Sequence, residues 1–342
     1  MASDAETGGP GGDEPLSRAE REALARWDED ALGVQMASRF YLDDASKVQI
    51  AKAFGVSRFQ VARLITEARR RGAVRVEITT PGGVDRELSA ALQEALDVPR
   101  AVVVQAPPAG GEGAPRSAAP LQLVAAAAAA VLGELVREGD VLGMTWSRAI
   151  EAMSHQLPRL PRCTVVQLAG AVHPADGLLG SVEVVRRVAA AAGSHGHPVY
   201  APLVVEDAAT AAGLRRQPEI AAALALGDRL DVAVVSVGAW RSSCSAVYDL
   251  LDEEVRRAVT DAGAVGEISG RLVDAAGELV ATPLDERVVG LSVDQLRRAP
   301  QRLATSYGAY RAVATRAAAR AGLVSTLVAD GDLARAVLDL PG

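Results

Sequence analysis

The side chains that could do chemistry in this 342-residue chain fall into two groups: a cationic run near the amino end, and Gly, Ser, Thr and Arg residues that follow short apolar runs. Between Lys47 and Arg75 stand eight basic residues (47, 52, 58, 63, 69, 70, 71, 75) and one acid, Glu67, for a local charge of +7 in a chain whose total is −7. The rest of the chain sums to −14. That asymmetry suits an amino end that meets a polyanion, although a charge run taken alone is equally a solvated helical face. Farther on, Gly143-Met144-Thr145-Trp146-Ser147-Arg148 places two hydroxyls and a guanidinium where an apolar run turns into a helix. Such a turn can hold a phosphate through hydroxyls, free helix amides and the Arg, or Ser147 can simply cap the helix. Gly170 and Gly238 end two other apolar runs and would let backbone amides approach a ligand. Among the acids near strand ends, Asp231, Glu267 and Asp274, Glu267 could accept from hydroxyls of a ligand or cap a local turn.

Other candidates read as structural. His195-Gly196-His197 lacks a further His or any Cys nearby in sequence, so it reads as a polar loop, and no metal site or cofactor is expected. Trp146 and Trp240 at strand ends serve either as packing or as ligand walls. Cys163 and Cys244 read as small buried apolar residues. No His-and-carboxylate pair suited to general acid–base work stands out, so no catalytic residue is assigned.

Elements must position these groups. With 49% hydrophobic and 23% charged residues the chain has material for two globular domains, and disorder cannot dominate. Aromatics at 3% leave few rings for stacking, so the core is aliphatic and a carbohydrate site would be polar-walled. The longest apolar run, Leu123 to Leu132, is about half of the roughly 20 residues that span a bilayer. A first segment without an apolar h-region and two cysteines without a disulfide framework give the expectation of a cytoplasmic protein.

Residues 1–22, rich in Gly, Pro and acid at their start, read as a disordered tail, 23–80 as a winged helix-turn-helix, and 81–342 as a doubly wound α/β domain. Ser46-Lys47-Val48-Gln49 and Ser57-Arg58-Phe59-Gln60 both fit capping boxes, Gly55 suits a left-handed helix end, and Val61, Leu64, Ile65 and Ala68 make one apolar stripe. Two short helices joined by a Gly-containing turn, the second one basic, form a helix-turn-helix, with Val74–Ile78 as a wing strand. The second helix and its surroundings supply the DNA-contacting candidates: Arg58 and Arg63 for base edges or phosphates, Phe59 for an apolar contact, Gln60 for a base amide contact, Ser57 at the helix start, and Lys47, Lys52, Arg69, Arg70 and Arg71 for phosphates.

Beyond residue 80, a helix is expected over 85–96 and a strand over 101–105. Further helices are expected over 121–137, 147–156, 181–192, 217–226, 249–260, 309–321 and 332–339. They alternate with strands over 141–145, 164–169, 231–237, 287–291 and 323–328. Non-alternating apolar runs such as Asp231–Val237 suit a parallel sheet covered on both faces.

Phe40-Tyr41, Gln49-Ile50-Ala51 and GVSRFQVARLITEARRRGAVRVEI resemble the N-terminal domain of the SorC family of bacterial sugar-responsive transcriptional regulators. VLGMTWSRAI, VVQLAGAV, VSVGAW, GAVGEISGRLVDAAG, RVVGLSVDQLR and AGLVSTLVADGDLARAVL resemble that family's effector domain in the same order. The resemblance covers about residue 30 to the end. It implies an effector and oligomerisation domain over 81–342, similar in fold to ribose-5-phosphate isomerase and glucosamine-6-phosphate deaminase, that senses sugars, often phosphorylated. It also implies a homo-oligomer, with dimers assembling into tetramers, and operator DNA as partner. The ligand would sit among Thr145, Trp146, Ser147, Arg148, Gly170, Gly238, Glu267 and Arg311. Two departures stand out: the family's SWG-x-T loop reads Thr145-Trp146-Ser147-Arg148-Ala149 here, and a Gly-Gly…Lys pattern reads Tyr307-Gly308-Ala309-Tyr310-Arg311. Arg is a planar fork where Lys is a point charge. The expected function is a sugar-responsive DNA-binding regulator, acting as a repressor. The alternatives are a phosphosugar isomerase or deaminase, and a module whose basic helices meet an acidic protein.

Overall fold

In a computed structural model, residues 29–41, 45–71, 73, 83–105, 120–172 and 180–341 are described. They fall in two compact units, one within 1–79 and the other within 80–342. The expected tail over 1–22 and wing strand Val74–Ile78 lie outside the described residues.

The first unit contains helices Glu29–Tyr41, Lys47–Phe54 and Arg58–Arg70. The second helix starts with a complete capping box: Ser46 Oγ accepts from Gln49 N at 3.3 Å and Gln49 Oε1 accepts from Ser46 N at 2.9 Å. It stops at Gly55, whose φ of 68° lies in the left-handed region a side chain would strain. Ser57 Oγ then accepts from Gln60 N at 3.1 Å and starts the third helix. Val61, Leu64, Ile65 and Ala68 of that helix are buried, the first three in one cluster with Met36, Ala37 and Ile50, so the expected stripe is the face that holds the unit together.

The second unit is built on a seven-stranded sheet, all of whose pairings are parallel, in the order β1 (Arg100–Val104), β10 (Thr326–Asp330), β9 (Gln301–Ser306), β5 (Val232–Ser236), β2 (Val141–Met144), β3 (Thr164–Gln167), β4 (Gly196–His197). Aliphatic clusters cover both sides: Ala233, Val235, Leu327 and Ala329 face one, Leu142, Met144, Val234 and Val328 the other. Burial on both faces is why these strands read as continuous apolar runs. From β2 the chain moves to β3 and β4 in one direction, whereas from β5 it moves through β9 to β10 in the other. The neighbours β2 and β5 therefore mark the point where the winding reverses, and a crevice opens at their carboxyl ends.

Some of the expected elements need correction. Residues 287–291 are no strand of the sheet: Pro283 opens a short helix, Pro283–Arg287, and Val289 N and Leu291 N then donate to Leu203 O and Leu168 O, so the segment crosses strand ends. The helix expected over 249–260 is two, Ala246–Leu250 and Glu253–Asp261, because Leu251 is extended and Asp252 caps the second through Val255 N at 2.9 Å. The central strand β9 was not expected, since QRLATS is mostly polar; its carboxyl end is buried all the same, with Ser306 Oγ and Thr315 Oγ1 2.9 Å apart.

A second sheet is antiparallel, β6 (Gly238–Ala239), β7 (Ala264–Ile268) and β8 (Arg271–Asp274). The turn between β7 and β8 uses Ser269 and Gly270, both at positive φ (53° and 80°), which is the twist a tight hairpin requires.

Candidate functional site

A cavity of about 370 Å³ lies at the carboxyl ends of β2, β3, β5 and β9, and all eight expected ligand residues line it: Thr145, Trp146, Ser147, Arg148, Gly170, Gly238, Glu267 and Arg311. Their parts differ from the simplest reading of the sequence. Thr145 Oγ1 donates to Val234 O at 3.1 Å, extending the β2–β5 ladder, and keeps acceptor capacity only. Ser147 is the N-cap of helix Arg148–Ser154, accepting from Ile150 N at 3.1 Å. The helix-capping role is thus present, and the hydroxyl proton is what Ser147 can still offer.

The two glycines make room for protein atoms rather than for ligand amides. Gly170 N donates to Val289 O, and a Cβ there would stand 2.3 Å from Pro202 O, so the glycine lets two chain segments cross. At Gly238 a Cβ would stand 2.5 Å from Glu267 Oε1; the position is empty so that this carboxylate can enter the cavity wall.

Glu267 caps a turn, one of the two roles the sequence left open, and it lines the cavity. Its Oε2 accepts from Gly270 N at 2.9 Å and its Oε1 from Ser245 Oγ at 2.9 Å. Burial raises its pKa above the ordinary carboxylate range, opposed by the Gly270 amide, the Ser245 hydroxyl and the Arg311 charge. Ser245 itself caps helix Ala246–Leu250 through Tyr248 N at 3.1 Å. Sequence reasoning missed Ser245, yet the Ser242-Ser243-Cys244-Ser245 run before a helix carried a signal, because such hydroxyls compete for backbone groups.

Arg311 is buried with its guanidinium between two rings, 4.5 Å from the Tyr307 centroid and 4.7 Å from that of Tyr310. Its Nη1 donates to Tyr307 O at 2.7 Å and to the Tyr310 hydroxyl at 2.5 Å, which engages that one nitrogen and fixes the fork. Burial raises the Tyr307 pKa, against the pull of the Arg311 charge and, more weakly, of Arg148. Tyr307 was seen in the sequence only as a departure from a glycine pattern; its role as a platform for Arg311 follows from the structure. Asp330 holds the segment below, accepting from Gly308 N at 2.9 Å and Leu333 N at 3.1 Å.

The remaining candidates lie apart from the cavity or on its edge. Asp231 sits at the opposite end of the sheet, where it accepts from Val141 N at 2.8 Å, and Asp274 caps its own turn through Ala276 N and Glu278 N. Trp240 is packing: its Nε1 donates to Thr260 Oγ1 at 3.1 Å and its ring meets Tyr248 edge-on at 5.2 Å. His195 and His197 flank Gly196 at the edge strand β4. Cys163 is buried, whereas Cys244 is half-buried and lines the cavity.

In the first unit, Lys52, Ser57, Arg58, Phe59, Gln60, Arg63 and Arg71 are exposed. Lys47 lies over the Phe40 ring at 5.2 Å, and Arg71 pairs with Glu67 at 3.5 Å. The side chains of Arg69 and Arg70 lie outside the described residues.

A family model described as "Putative sugar-binding domain" matches residues 83–339. The chain is 28% identical over 306 residues to the uncharacterized transcriptional regulator YjhU of Escherichia coli (strain K12), covering 87% of this chain and 92% of that protein. It is 24% identical over 310 residues to the deoxyribonucleoside regulator of Bacillus subtilis (strain 168), covering 90% and 97%. Among solved structures, the full-length sorbitol operon regulator SorC from Klebsiella pneumoniae superposes with a TM-score of 0.66 at 22% identity, covering 92% of this chain and all of that one. That likeness spans both units of the fold. Among the described residues no helix is long and apolar enough to cross a membrane.

Proposed function

Because the chain belongs to the sugar-binding domain family of SorC-type transcriptional regulators, we propose that it is a DNA-binding regulator of sugar-metabolism genes, switched by a small carbohydrate anion in the cavity of its α/β unit. The observation that carries the reading is the convergence of Thr145, Ser147, Arg148, Glu267 and Arg311 on one cavity at the winding reversal, two arginines and two hydroxyls in one lining. A sugar phosphate matches that chemistry: the dianion takes Arg148 and the fixed fork of Arg311, and the sugar hydroxyls take the acceptor oxygens of Thr145 and Glu267. The exposed cationic face of helix Arg58–Arg70 is the DNA-reading surface, and the molecule works as a symmetric homo-oligomer on a pseudo-palindromic operator, since one short helix reads too few base pairs for a unique address. The ligand shifts the DNA-competent population by the ratio of its affinities for the two states.

The named relatives are regulators and give the isomerase or deaminase reading no support. A thermal-shift screen of sugars and sugar phosphates tests the site. Phosphorylated compounds should stabilise the protein, and Arg311→Ala should weaken the hit about ten- to a hundredfold. Stabilisation by neutral sugars alone, or a hit indifferent to both Arg148→Ala and Arg311→Ala, would place the anion elsewhere.

A further inference from the structure

Phe59 is 86% exposed, more than any other large hydrophobic side chain among the described residues. The chain has three phenylalanines, and the other two, Phe40 and Phe54, pack against the helical core of the first unit. Phe59 cannot join them. At about 100° per residue it lies opposite Ala68 and within about 40° of Arg63 and Thr66, on the face turned away from Val61, Leu64 and Ile65. It is the second residue of helix Arg58–Arg70, the end at which recognition helices meet base edges. Arg58, Gln60 and Arg63 around it are exposed as well.

An apolar ring amid cationic and amide side chains fits a partner that is anionic at its rim and apolar at its centre. The major groove of duplex DNA has that character, with phosphates along both walls and one strongly apolar feature on its floor, the 5-methyl group of thymine. We infer that Phe59 is a specificity-determining residue that reads thymine by covering its 5-methyl group. The inference rests on the DNA-binding reading above and names what this face recognises. Arg58 and Arg63 supply attraction toward phosphate or guanine, whereas Phe59 supplies discrimination that no charge can give.

Deoxyuridine pairs as thymidine does and lacks only that methyl, so it isolates the contact. Duplexes selected by the full-length protein from a random pool are remade with each thymine replaced in turn by deoxyuridine. One position should weaken binding about three- to fivefold, the effect of uncovering one methyl. Phe59→Ala should lose a similar factor on the thymine duplex and no longer distinguish thymine from deoxyuridine there, while Phe59→Leu keeps the discrimination. An unchanged thermal midpoint in Phe59→Ala shows that the unit is intact. Selected duplexes that tolerate deoxyuridine everywhere, a Phe59→Ala variant that still discriminates, or equal loss on all sequences would overturn the assignment while leaving DNA binding in place. A pool that yields no bound duplex, as expected if this face meets an acidic protein, would overturn both.

Discussion

Cys163 and Cys244 differ in what sets thiol reactivity. Cys163 is buried in the aliphatic core, and burial together with the nearby Asp140 charge pushes its thiol up to about 11. Cys244 is half-buried on the cavity. One thiol should therefore react with iodoacetamide in the native protein at neutral pH, identified as Cys244 by peptide mapping, and a bound effector should slow it. Glu267 carries a different prediction. Its raised pKa means the folded chain binds more protons than the unfolded one between the two values, so its contribution to stability falls as pH rises from the unfolded value through the folded one. Glu267→Gln abolishes that titration. The melting temperature of the variant should decline less than that of the parent as pH is raised from the carboxylate range toward neutrality.

Helix ends and crossing segments decide the next scale. Ser46 closes its capping box in both directions, and Ser46→Ala should cost the first unit about 1 kcal/mol, read as a lower unfolding midpoint of that unit. At Gly170 the added methyl of Gly170→Ala would meet backbone of the Pro202–Leu203 segment, which no rotamer change relieves. A loss of about 1–3 kcal/mol is expected in denaturant unfolding, with effector affinity lowered because Gly170 lies on the cavity wall. The first of these was legible in the sequence and the second was not. A capping box is a matter of residues three apart, whereas the reason for Gly170 is a loop more than thirty residues away. The same division explains why strands β2 and β5 are legible in the sequence and β9 is not: the former are apolar but for Ser236, and the latter carries Gln301, Arg302, Thr305 and Ser306 into a strand that only its neighbours specify.

At the scale of the molecule, the two units have separate hydrophobic clusters, Met36–Ile65 in the first and the two-sided aliphatic core of the sheet in the second. A fragment of residues 80–342 should fold by itself, keep the effector-induced thermal shift and the oligomeric state in sedimentation, and lose DNA binding. A fragment that sediments as a monomer would move the assembly interface to the first unit. By itself the sequence determined the charge division, the capped helices near the amino end with their apolar stripe, and the parallel α/β character. These follow from periodicity and composition, which act over a few residues, whereas the set of candidate ligand residues, Arg311 above all, is what the resemblance to the SorC family implies. Only the tertiary structure decided that Thr145 spends its proton on Val234, 89 residues on, that Ser245 holds Glu267 across 22, and that two tyrosines clamp Arg311. Strand order brings those partners together, and strand order is set by how helices cover both faces of the sheet, a property of the packed whole that no local run of residues carries.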